Sequence, residues 1–132
     1  MSKELMWLTY TVILTGVLWI PYILDRIVVR GLMGAMGNPS PTDLPQSAWA
    51  QRLQAAHTNA VENLVVFATL VLILHAINHS TESTVLACAV YFWARLVHAL
   101  VYAFGIPVLR TLAFAVGFVA QVALVMAIFG KL

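Results

Sequence analysis

Arg52, Asn59 and Glu62 lie in one apolar stretch, with Asn59 seven and Glu62 ten residues beyond Arg52. A helix advances about 100° per residue, so the three face one side of it. Arg95, His98 and Tyr102 make a second stripe in a later apolar stretch, at spacings of three and seven. These spacings also keep side chains on one helix face. Arg30 and Arg110 flank the two stretches. The chemistry of this set is anion chemistry. A guanidinium stays charged at any physiological pH and presents a fork of donors that matches a carboxylate. Arg95 falls in mid-span and needs an anion. Glu62, about 15 Å along its helix from Arg52, is the expected partner, because the two helices are antiparallel neighbours. One carboxylate does not neutralise Arg30, Arg52, Arg95 and Arg110. The surplus fits a bound anion with carboxylates or a thiolate. A buried Glu62–Arg95 pair that only locks the helices is the plainer reading, but it leaves the other cations unexplained.

The elements that must position these residues are membrane helices. The chain has 132 residues, of which 62% are hydrophobic and 9% charged, and its mean hydropathy is +0.93. A soluble domain carries about 25% charged residues, so most of this surface must meet something apolar. A spanning helix takes about 20 apolar residues. Helices are expected at about 5–29, 50–77, 82–104 and 108–129, in a single all-α, four-helix transmembrane domain. Pro21 is expected to kink the first helix near its end. The stretch 31–47, rich in Gly and Pro, reads as the one real loop. Asn78-His79-Ser80 stops the second helix, and Gly105 with Pro107 makes a tight turn before the fourth. The first run is too long for a cleaved signal and reads as a retained helix. Arg26, Arg30, Arg52 and Arg110 lie at or beside the first and third loops. The positive-inside rule places those loops in the cytoplasm and both termini outside.

His57-Thr58-Asn59-Ala60-Val61-Glu62 followed by Phe67, with Arg52 upstream, resembles the second-helix signature of the MAPEG family, membrane-associated proteins in eicosanoid and glutathione metabolism. Arg95-Leu96-Val97-His98 with Tyr102, then Arg110, resembles its third-helix signature and the arginine that opens its fourth helix. Arg30, before Asn38-Pro39, is similar to the end of the family's first helix. The resemblance covers nearly the whole chain. It implies a four-helix bundle that associates as a homotrimer and binds glutathione between subunits, toward the cytoplasmic side. By resemblance, Arg30, Arg52, Asn59, Glu62, Arg95, His98 and Tyr102 hold the tripeptide, and Arg110 stabilises its thiolate. That role is physically sound, because a thiol of pKa about 8.5 is mostly protonated at neutral pH and an adjacent guanidinium favours the anion. The implied activity is that of a glutathione transferase or peroxidase acting on a lipophilic electrophile or lipid hydroperoxide. Ala55 and Thr58 stand where a prostaglandin-forming member has arginines, and Ala99 where it has threonine. Thr111 after Arg110 keeps a hydroxyl where that member has serine. The short loops resemble a bacterial member, which implies a bacterial inner membrane.

Other readings are weaker. Seven Lys and Arg that form no basic face do not suggest nucleic acid. His57 lies about 140° round its helix from Arg52, which argues against a haem held by His57 and His98. His75, His79 and Glu82 have a metal-like spacing, but the helix stop at 78–80 spoils it, and no metal is expected. Cys88, the only cysteine, reads as packing. Two functional alternatives stay open: a lipid-binding scaffold without catalysis, and a small proton-coupled transporter using Glu62.

Overall fold

The computed structural model describes residues 1–130. Helices α1 (Lys3–Val17), α2 (Trp19–Met36), α3 (Ala48–Ala76), α4 (Glu82–Ala103) and α5 (Pro107–Ile128) follow in order, and no strand occurs among the described residues. α1 and α2 form one span, so four spans are long and apolar enough to cross a membrane. The chain is an integral, multi-pass membrane protein. The first span breaks at Leu18, earlier than the sequence suggested. Pro21 lies three residues on and has no N–H for the carbonyl of Val17. The span also runs further, to Met36, and is interrupted at Gly31, whose φ of 73° is open to glycine. The connection to α3 is therefore 37–47, shorter than the 31–47 expected.

Local sequence explains the other ends. Ser2 caps α1 by accepting from the Leu5 N–H, and Thr81 caps α4 with a reciprocal Thr84 contact. α3 ends with Asn78 at φ 55°; the N–H of Asn78 bonds the carbonyl of His75 and that of His79 the carbonyl of Leu74. α4 ends in the same way on Gly105, with Gly105 bonding Tyr102 and Ile106 bonding Val101. Both are left-handed C-terminal caps that reverse the chain.

The packing is that of a membrane bundle, with apolar side chains outside and, inside, small and polar residues beside a core of Phe67, Val71, Leu74, Tyr91 and Leu124. Val28, Val65 and Phe118 are exposed, whereas Ala87, Cys88, Ala94, Ala113, Gly117 and Ala120 of α4 and α5 are buried. Small residues let helix backbones approach where no hydrophobic effect drives them together. Phe67 stacks on Tyr91 with centroids 3.9 Å apart, which ties α3 to α4. The loop is pinned by Asp25, which accepts from Ser47 N at 3.0 Å and Ser47 Oγ at 2.5 Å. Gln46 Nε2 donates to the Tyr22 carbonyl, and Arg26 Nε donates to Gln46 Oε1.

Candidate functional site

The α4–α5 turn and the adjoining halves of α3, α4 and α5 carry most of the predicted residues. Arg52 lies across the turn, and its Nε donates to the Ala103 carbonyl at 3.0 Å. Gly105 makes this approach possible, since a Cβ there would stand 3.3 Å from the guanidinium. At φ 77° a side chain is also strained.

Deeper in the bundle, Arg95 is 4% exposed. Its Nη2 donates to Asn59 Oδ1 at 2.6 Å, and its Nε has no partner. The expected pairing of Glu62 with Arg95 is not what the chain forms. Glu62 is exposed, and the one ion pair among the described residues is Arg30–Asp43 at 3.7 Å. The reason is angular. Asn59 lies within about 20° of Arg52 on α3, while Glu62 is about 80° round and leaves the side that faces α4. Arg95 is thus a buried cation with a neutral acceptor. Its stem lies against Gly117 of α5, where a Cβ would meet it at 3.8 Å.

Two residues that the sequence reading passed over complete this layer. Asn63, one turn beyond Asn59, donates to the Asn59 carbonyl at 2.9 Å. Gln121 of α5 donates to the Asn63 carbonyl at 3.3 Å and is buried. Their signal was present, because amides inside apolar spans need partners.

His98 is also buried, at 3% exposure, with rings of Tyr102 and Phe114 at 5.6 and 6.4 Å. Its Nδ1 has no partner. Tyr102 carries the Arg110 guanidinium over its ring, 4.4 Å from the centroid, a cation–π contact. Arg110 sits in the first turn of α5, which begins at Pro107 and has no side-chain cap. Uncapped N–H groups and the positive end of the helix dipole add to the Arg110 charge, and together they favour an anion.

The remaining predicted residues lie apart from this cluster. Arg30 turns to the loop, where its Nε donates to the Leu44 carbonyl at 2.8 Å. Glu62, Ala55 and Thr58 are exposed on α3, and Ala99 is buried. Thr111 bonds back to the Pro107 carbonyl. His57 Nδ1 pairs with the Tyr22 hydroxyl at 2.7 Å, so that nitrogen is already engaged.

No curated protein and no solved structure matches the chain. The model of the MAPEG family matches it over residues 5–130, nearly its whole length. The chain therefore belongs to the MAPEG family.

Proposed function

We propose that this protein is a glutathione-dependent membrane transferase or peroxidase that works as a homotrimer. The observation that carries the reading is the unbalanced charge at one end of the bundle. Arg52, Arg95 and Arg110 have no carboxylate partner among the described residues. A guanidinium cannot lose its charge to escape a low dielectric, so these groups favour an anion brought from outside the chain. The residues fit a tripeptide with carboxylates and a thiol. Arg95, Arg52 and Asn59 offer donors and an acceptor for the peptide, with His98 and Tyr102 in the same cluster and Arg30 held to the loop apart from it. Arg110, with the uncapped start of α5, favours the thiolate. The bound thiol would supply the nucleophile or reductant, and the bilayer would deliver the lipophilic second substrate.

Self-association is supported by a second observation. Gln51, Gln54, Thr58, Glu62 and Thr69 are all exposed on α3 and fall within an arc of roughly 80°. A polar stripe on a spanning helix needs cover from something other than lipid. A neighbouring copy provides it, and would bring Glu62 into the shared site. The arginines beside the first and third connections favour those ends lying in the cytoplasm, in a bacterial inner membrane.

The test is calorimetry of glutathione binding to the detergent-purified protein, with ultraviolet absorbance as the thiolate readout. Saturable binding with more thiolate than free glutathione at the same pH is expected. An absence of binding at millimolar glutathione refutes the proposal and favours the scaffold or transporter readings.

A further inference from the structure

A groove on the outer face of α4 and α5 runs down from a polar pocket, at the end of the bundle opposite Arg110. The pocket is lined by Lys3 and Trp7 of α1, Ser80 and Thr81 of the α3–α4 turn, and Glu82 of α4. Leu86 and Ala89 line both this pocket and the groove below it. The walls of the groove include Leu86 and Trp93 of α4 and Val116 and Val119 of α5, and its floor includes the buried Ala94 and Ala120. Its larger part has a volume of about 700 Å³. Among the described residues, Ser83 at the mouth is the one polar side chain along it. From Ser83 to Val97 the groove covers fourteen residues of α4, about 21 Å at the rise of a helix. That exceeds the depth of one leaflet, about 15 Å. The polar stripe that a neighbouring copy would cover lies on α3, so the groove is a separate surface.

A bilayer fills any apolar groove with acyl chains, and a particular lipid is held only through the polar mouth. This mouth carries one charge of each sign. Lys3 and Glu82 are exposed and line one pocket. They are not paired with each other, since the one ion pair among the described residues is Arg30–Asp43. A zwitterion complements both, with its phosphate toward Lys3 and its ammonium toward Glu82, each a charge-assisted hydrogen bond. Trp7 beside them fits the depth of lipid head groups, where Trp is enriched.

We propose that the pocket and groove hold one glycerophospholipid with a primary-ammonium head group, of the phosphatidylethanolamine type. Its phosphate lies at Lys3, its ammonium at Glu82, and one acyl chain runs between α4 and α5. A quaternary ammonium has no N–H to give Glu82, and a glycerol head group has no positive charge. Phosphatidylcholine and phosphatidylglycerol therefore complement the mouth less well.

The experiment is native mass spectrometry of the full-length protein, delipidated in detergent and titrated with each of the three lipids at matched acyl composition. One phosphatidylethanolamine per chain, bound at least tenfold more tightly than the other two, is expected. Lys3→Gln and Glu82→Gln, both at exposed positions, should keep the fold by circular dichroism and remove that preference. Ala115→Trp fills the groove from an exposed position and should weaken binding of all three lipids, whereas Val28→Trp, exposed on α2, should change nothing. Equal binding of the three lipids means annular lipid only and overturns the proposal. A preference for phosphatidylglycerol overturns it too, as does a preference for phosphatidylethanolamine that survives both Gln variants. Loss of the oligomer, rather than of lipid, in Ala115→Trp would assign the groove to a second copy and also overturn it.

Discussion

Arg95 offers the sharpest separation of a structural from a ligand-binding role. It is buried, its one side-chain acceptor is Asn59 Oδ1 at 2.6 Å, and its Nε is without a partner. Asn59→Ala leaves the guanidinium buried without that bond. A hydrogen bond to a charged group contributes about 1.5–3 kcal/mol, so the variant should lose about 2–3 kcal/mol of stability. Arg95→Met keeps most of the length and removes the charge together with the unsatisfied Nε. Asn59 Oδ1 still receives Asn63 Nδ2 at 3.3 Å, so no acceptor is orphaned. Replacing buried charge by well-packed apolar atoms is often neutral or stabilising; Arg95→Met should therefore lie within about 1 kcal/mol of the parent, or above it, while losing glutathione binding. Equilibrium unfolding in mixed micelles gives the stabilities, and calorimetry gives the binding. A destabilisation by Arg95→Met as large as that by Asn59→Ala would refute the reasoning, as would undiminished glutathione binding.

Four further predictions follow from single contacts. Arg110→Ala should leave the fold intact, remove the enhanced thiolate absorbance and lower turnover by about 10²–10³-fold, the range for loss of one preorganised donor; normal turnover would end the role assigned to Arg110. Glu62→Ala, at an exposed position, should weaken the trimer and glutathione binding without unfolding the chain, as read by cross-linking and circular dichroism. Gly117→Ala should be tolerated, because its Cβ meets its nearest neighbours at 3.8 Å, but Gly117→Leu should force α5 from Arg95 and cost about 1–3 kcal/mol in the same unfolding assay. Asp25→Ala removes the acceptor that holds Ser47 and Gln46 and should expose residues 37–47 to limited proteolysis.

The sequence by itself determined the spans and the stripes. Hydrocarbon thickness sets the length of an apolar run, and ionisable residues inside such a run announce a site wherever it folds. Arg52, Asn59, Arg95, His98 and Tyr102 were legible for that reason, and so was the turn at Gly105 and Pro107. What only the tertiary structure decided is which polar group meets which. Spacing put Asn59 and Glu62 on one broad side of α3, but the rotation of α3 against α4 gave Arg95 to Asn59 and left Glu62 outside. Gln121 reached Asn63 across fifty-eight residues of chain, from α5 to α3. Glu4 found Ser80 and Thr84 across nearly eighty residues of chain, and Tyr22 found His57 across thirty-five. Contacts within a helix follow from its fixed period, whereas contacts between helices depend on the rotation and depth of each rod. Packing of small residues sets those two quantities, and a single chain's periodicity does not contain them.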